Sequence, residues 1–266
     1  MEIQVAMENE TLITDSDGGV VTITFNRPEK KNAITHAMWR QLATRVATAA
    51  DDRATRAIVI TGQGGDFSAG ADIGEFASLR SGGDDARAYE AANSAAFAAI
   101  RRAAVPVIAA IRGVCFGGGF GIAAACDLRV ATPDAQFAVP AARLGLAYPH
   151  DAMGDIVEAL GPQAARYLAF TAARIDAAAA LAAGFLLEIV EPSRFDERIT
   201  EIARSIAGNA PLSVRASKAA VRAALSGAAD DIEHARVLGD ATFDSLDYAE
   251  GRSAFMEKRR PLFEGR

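Results

Sequence analysis

The chain is poor in the residues that build disulfides and metal centres. It holds two cysteines in 266 residues, Cys115 and Cys126, and both lie in apolar surroundings. That excludes a disulfide framework and a thiolate cluster. The three histidines, His36, His150 and His234, are too scattered to suggest a metal site by spacing, so no metal is expected. Basic residues are not in excess. The net charge is −6, which argues against non-specific nucleic-acid binding while leaving room for a small polyanionic ligand at a local cation cluster. No apolar run reaches membrane-spanning length, and the acidic, polar N-terminus lacks a signal-peptide pattern. The expectation is a soluble cytoplasmic protein with no nucleic-acid or membrane partner.

What the chain has in quantity is apolar surface. Half of its residues are hydrophobic, enough to bury a large core, as one domain or as a domain with a helical appendage. The first half alternates strands and helices. Asp17-Gly18-Gly19 between two β-rich runs reads as a hairpin. Thr35 reads as the cap of a helix to about Ala50, with Met38, Leu42, Val46 and Ala49 on one face. Ile58–Ile60 reads as a strand, residues 81–85 as a mobile loop, and the alanine-rich stretch through Arg102 as a long helix. A strand at Val107, a helix at Gly119 and a short strand over 128–131 follow. In the second half, 151–160, 162–171 and 176–183 read as helices, 186–190 as a last strand, and the residues after Pro192 as successive helices broken between Gly208 and Pro211. Periodicity alone allows either a ββα superhelix or a doubly wound sheet.

Two glycine-rich turns carry the chemical signal. Gly117-Gly118-Gly119 follows the apolar run Val105–Ile111 and precedes a helical segment. Phe67-Ser-Ala-Gly-Ala-Asp-Ile73 follows the run Ala57–Gly62. Strand, glycine turn and helix together present bare backbone N–H groups at a helix N-terminus, where the dipole favours negative charge. Two such turns suggest a two-donor oxyanion hole.

These motifs resemble the enoyl-CoA hydratase/isomerase family, the crotonase superfamily. The resemblance runs over nearly the whole chain, from Val20–Pro28 with Asn32-Ala33, through Phe67–Ile73, Gly113–Gly119, Cys126–Arg129, Ala135–Phe137 and Leu144-Gly145, to Phe255–Phe263. It implies an α/β fold of the crotonase-like ββα superhelix type, with a core and acyl-CoA site over 1–191 and a C-terminal helical trimerisation region over 192–266. It implies an acyl-CoA substrate, with coenzyme A part of the substrate and no separate cofactor, in a homotrimer or dimer of trimers. The oxyanion donors are the backbone N–H groups of Ala71 and Gly118. Coenzyme A lies along Ala69, Ala71, Asp72 and Ile73, with Arg27 and Lys258 toward its phosphates and Phe255 beside Lys258.

The sequence departs from the hydratase pattern at the two water-activating glutamates. Gly121 and Ala141 occupy those positions, and neither can move a proton. The polar side chains left for catalysis lie on Leu144–Asp151. Tyr148 matches a pocket tyrosine of methylmalonyl-CoA decarboxylases, which also share the pattern around Asp244–Gly251, although they have a histidine at Ala71 and a glutamate at Gly121. Tyr148 is the expected proton source. Asp151 is the second candidate and Glu75 a third, and His150 and Asp151 read alternatively as a helix-capping turn. Asp127 and Arg129 read as a salt bridge under the active-site helix. The readings are an enolate-stabilising lyase or isomerase, a decarboxylase of malonyl-type CoA esters, or a CoA-ester binding protein without catalysis.

Overall fold

The computed structural model describes residues 10–76 and 82–266. Strands β1 (Leu12–Asp17) and β2 (Val20–Phe25) pair antiparallel. Gly18 and Gly19 form the two-residue turn between them at φ 56° and 82°, as a hairpin of this length requires. From β2 the chain continues through parallel strands β3 (Ala57–Gly62), β4 (Val107–Ile111), β6 (Leu128–Ala131) and β9 (Glu188–Ile189), in the sheet order β1-β2-β3-β4-β6-β9. A second layer holds β5 (Val114–Phe116), β7 (Gln136–Ala138) and β8 (Arg174–Asp176). It is continued by the parallel bridges Ser68↔Cys115 and Ile34↔Ala71.

Each turn therefore contributes one strand of the large sheet, one rung of the second layer and one helix. The helices that complete the turns are α1 (His36–Asp51), α2 (Gly83–Arg102), α3 (Gly118–Ala125) and α4 (His150–Thr171). The order β2, Ile34, α1; β3, 68–71, α2; β4, β5, α3; β6, β7, α4 is a ββα superhelix. It selects that architecture over the doubly wound alternative.

The local rules hold where they were strongest. The Thr35 side chain accepts from Met38 N at 3.2 Å, and Met38, Leu42, Val46 and Ala49 are buried. Gly161, at φ 75° and ψ 160°, breaks α4 into the two helical stretches that the sequence suggests. The loop expected over 81–85 falls partly on residue 81, outside the described residues. From Gly83 onward it is helix, because Asp84 and Asp85 suit a first turn, where carboxylates oppose the helix dipole. Of the strand expected over 186–190, Glu188 and Ile189 stand in register with Val130 and Ala131, and Leu187 N and Val190 N donate to the Arg129 and Ala131 carbonyls at 2.8 and 2.9 Å.

The remaining helices are α5 (Ala177–Ala182), α6 (Phe195–Ala207), α7 (Pro211–Ser226), α8 (Ala229–Phe243) and α9 (Leu246–Glu257). Strand β3 is buried on both faces, as a central parallel strand should be. Ile58 and Ile60 face the main core, while Val59 packs with Ile108, Val130, Phe195 and Ile199 beneath α6. Asp127 and Arg129 do not pair with one another. Asp127 accepts from Lys218 Nζ and from Val107 N, both at 2.7 Å, and Arg129 donates to the carbonyls of Phe185 and Cys126. The expected salt bridge gives way because the unpaired carbonyls at the C-terminal end of α3 attract the guanidinium.

Candidate active site

The two glycine turns meet. A β-carbon placed on Gly118 would lie 3.6 Å from the Ala71 backbone nitrogen, and one on Gly70 would lie 2.9 Å from Gly118 N and 2.7 Å from the Phe116 carbonyl. Glycine at 70 is thus required twice, for this approach and for its φ of 92°. The 67–71 segment is held by Ser68 N donating to Val114 O at 2.9 Å, Phe116 N to Ser68 O at 2.9 Å, and Ile34 N to Gly70 O at 2.8 Å. These bonds leave the Ala71 N–H over. Gly118 is the first residue of α3, where an N–H has no intrahelical acceptor. Among the described residues neither Ala71 nor Gly118 donates a backbone hydrogen bond. Two adjacent, half-buried, unengaged donors are what a developing oxyanion needs.

The back of this pair is closed by Trp39, fully buried, whose ring would stand 2.7 Å from a β-carbon on Gly118. Trp39 packs edge-on against Phe97, with centroids 5.5 Å apart. One turn along α3, Gly121 faces Tyr148. A β-carbon on Gly121 would lie 2.5 Å from Tyr148 Oη and 2.8 Å from Phe97 Cζ. The Tyr148 hydroxyl donates to the Gly117 carbonyl at 2.8 Å. Burial, followed by the Cys115 and Glu90 side chains, holds this phenol well above its ordinary range, so it stays protonated. Ala141 lies in the 3-10 turn Pro140–Leu144, and Pro140 Cδ would be 3.8 Å from a β-carbon on Gly117. Of the two positions that the sequence reads as lost glutamates, Gly121 thus lies within α3 and Ala141 follows the proline beside its N-cap, Gly117.

Comparison with known proteins gives the family. The enoyl-CoA hydratase/isomerase family model matches residues 15–266. The chain belongs to the enoyl-CoA hydratase/isomerase family. It is 32% identical over 259 residues to the short-chain-enoyl-CoA hydratase of Clostridium acetobutylicum, covering 96% of this chain and 97% of that protein. It is 33% identical over 262 residues to the crotonyl-CoA hydratase of Syntrophomonas wolfei, covering 97% and 99%. The solved enoyl-CoA hydratase of Bacillus anthracis superposes with a TM-score of 0.90 at 27% identity, over 97% of this chain and all of that one. The fold is that of the crotonase superfamily.

The other residues expected at the site from the sequence are distributed as follows. Ala69 N donates to Lys31 O at 2.9 Å, tying the 67–73 loop to the turn after β2. Asp72 accepts from Arg27 Nη1 at 2.9 Å and from Gly74 N at 3.0 Å. Burial pushes the Asp72 carboxyl up, but the Arg27 hydrogen bond, the Gly74 N–H and the Arg27 and Lys30 charges together hold it below its ordinary value. Arg27 also donates to Ala33 O at 2.7 Å, so its fork braces this loop. Ile73 is 69% exposed beside it.

Asp151 does not cap α4, whose N-cap is Pro149. It accepts from Ser94 Oγ at 3.3 Å and sits 4.0 Å from Arg101, which is paired with Asp155. Glu75 accepts from His36 N at 2.7 Å, opposite the N-terminus of α1. At the tail, Lys258 terminates α9 in the left-handed conformation, Phe255 is 84% exposed, and Arg259 is held by Glu250 and Glu257.

Two supporting residues had no role assigned from the sequence. Asn32, fully buried at φ 54°, accepts from Arg27 N at 2.9 Å and donates to the Gln63 and Asp66 carbonyls at 3.0 and 2.6 Å. Its place in the Asn32-Ala33 motif, and the tolerance of asparagine for the left-handed region, were the available signals. Trp39 gave no signal beyond its helical face. A cavity of about 1000 Å³ lies at the other end of α3, lined by Cys126, Arg129, Asp155, Lys218 and Arg222 among others. Eight residues of helix, roughly 12 Å, separate it from Gly118.

Proposed function

We propose that this chain acts on acyl-CoA thioesters by stabilising an enolate between the N–H groups of Ala71 and Gly118. The juxtaposition of those two unengaged donors is the observation that supports this reading. Coenzyme A enters as part of the substrate, its pantetheine arm along Ala69–Ile73, with Lys30 and Lys258 as the cations open to its phosphates. As the thioester oxygen becomes negative, each donor in an enclosed site is worth about 3–4 kcal/mol.

Water addition through a glutamate pair does not belong to this reading, because residues 121 and 141 carry no carboxylate. A double-bond shift or lyase step uses the same enolate. Decarboxylation of a malonyl-type thioester is the second reading, because that step tolerates the loss of a carboxylate base. Loss of carbon dioxide leaves the enolate directly, with no base required. The support for a homotrimer or dimer of trimers is the helical tail. Helix α8 has no buried residue, and Val237, Phe243, Phe255 and Met256 are half or more exposed.

The test is a panel of crotonyl-, dienoyl- and methylmalonyl-CoA, with hydrogen exchange at Cα of butyryl-CoA in heavy water as a readout of enolate formation by proton removal. Cα exchange or turnover on one class supports the enolate reading. Tight CoA-ester binding with neither exchange nor turnover on any of these esters assigns the chain to non-catalytic binding, and no binding overturns the proposal.

A further inference from the structure

Gly117 and Gly118 are joined by one peptide unit. Its carbonyl belongs to Gly117 and its N–H to Gly118. The unit is planar and trans, so the two groups point in opposite directions, and whatever fixes the carbonyl fixes the N–H. Both flanking residues are glycine, which leaves the plane free to rotate about ψ of Gly117 and φ of Gly118. Gly117 sits at φ 51° and ψ −119°, a conformation that strongly favours glycine. Left to itself, this oxyanion donor is poorly determined.

The Gly117 carbonyl accepts two hydrogen bonds. One is the first helical bond of α3, from Gly121 N at 3.0 Å, in the turn where helices fray. The other comes from Tyr148 Oη at 2.8 Å, reaching across 31 positions of sequence. The ring reaches that carbonyl only because residue 121 has no side chain, since a β-carbon there would meet Oη at 2.5 Å. On the opposite side Trp39 blocks displacement of Gly118.

We propose that Tyr148 is a positioning residue for the oxyanion hole, donating to the Gly117 carbonyl so that the Gly118 N–H is aimed beside that of Ala71. This rests on the enolate reading above and gives the glycine at 121 a reason. The position that would hold a water-activating carboxylate is instead the passage through which Tyr148 pins the donor. The phenol proton is committed to a backbone acceptor, so Tyr148 acts through Gly118 and not on the substrate carbons.

The experiment compares the wild-type enzyme with Tyr148→Phe. Carbonyl-13C-edited infrared spectra of bound butyryl-CoA report the polarisation of the thioester by the oxyanion donors. In the ligand-free protein, the Gly117 13C′ and Gly118 15N resonances report the peptide itself. Removing a whole oxyanion donor lowers turnover by about 10²–10³. Misaiming one should lower kcat by about tenfold, leave the acyl-CoA Kd within about twofold, keep the shape of the pH profile, and move the bound carbonyl stretch back toward its frequency in water. The Gly117 and Gly118 resonances should shift.

A fall in kcat with an unchanged carbonyl stretch would overturn the proposal in favour of proton donation. Unchanged kcat, stretch and resonances would reduce Tyr148 to space filling and also overturn it. Should Tyr148→Phe fold poorly, 3-fluorotyrosine at 148, a stronger donor, is expected to lower the bound stretch further, and no change would count against the pin. If the wild type binds no CoA ester, the functional reading fails, while the two backbone resonances still decide the pin.

Discussion

Gly121 shows how one absent side chain couples chemistry to packing. From sequence, Gly121 reads as a lost carboxylate, which leaves open whether the position has room for one. The structure fills that room with Tyr148 Oη and the Phe97 ring. Gly121→Ala should therefore destabilise the fold by about 1–3 kcal/mol through overpacking, measured by urea denaturation. Gly121→Glu with Ala141→Glu should not raise crotonyl-CoA hydration unless Tyr148 is also cut back to alanine. A gain in hydration from the double variant alone would show that the site opens further than the Tyr148 contact allows. The cysteines offer a second residue-scale check. Both are buried. Burial pushes the Cys115 thiol up, with Cys126 nearby adding to the effect, and burial outweighs the opposing Arg129 charge at Cys126. Neither thiol should react with a disulfide reagent in the native protein, while two should react after unfolding.

At the scale of elements, the site is one helix N-terminus and one loop, each braced from elsewhere. The loop 67–73 is held through Asp72 and Arg27, whose side chains are 20% and 16% exposed. A double-mutant cycle on Arg27→Ala and Asp72→Ala should give a coupling of about 1 kcal/mol, together with weakened acyl-CoA binding in both single variants. The pH sign follows from the lowered Asp72 carboxyl. The stability it contributes is present above its ordinary value of 3.8 and is lost as pH falls through the still lower folded value. The Asp72→Asn variant should accordingly lose its stability deficit relative to wild type only in strong acid. Gly118→Pro would not be a clean test of the oxyanion donor, because Trp39 occupies the space of any β-carbon there.

Sequence legibility divides at this scale. The Thr35 cap, the Gly161 break and the two glycine turns were readable because each is a local rule written within a few residues. Tyr148 with Gly117, Arg27 with Asp72, and Lys218 with Asp127 were not. Those pairs lie 31, 45 and 91 positions apart, and only the superhelix brings them together.

On the scale of the whole molecule, the superhelix places successive second-layer rungs side by side, which is why residues 68–71 and 115–118 meet. The tail has a different character. Helix α8 buries none of its residues within one chain, and Phe255 and Met256 are more than 80% exposed. Sedimentation should find an assembly of three or six chains, and Phe243→Asp with Val237→Asp should shift it toward monomer. The central claim is that Ala71 and Gly118 form a working oxyanion hole. A crystal structure with butyryl-CoA bound tests it most directly. The account predicts the thioester oxygen within roughly 2.7–3.2 Å of both the Ala71 and Gly118 nitrogens. A thioester seated elsewhere, with those two N–H groups turned to water or to the protein, would contradict it.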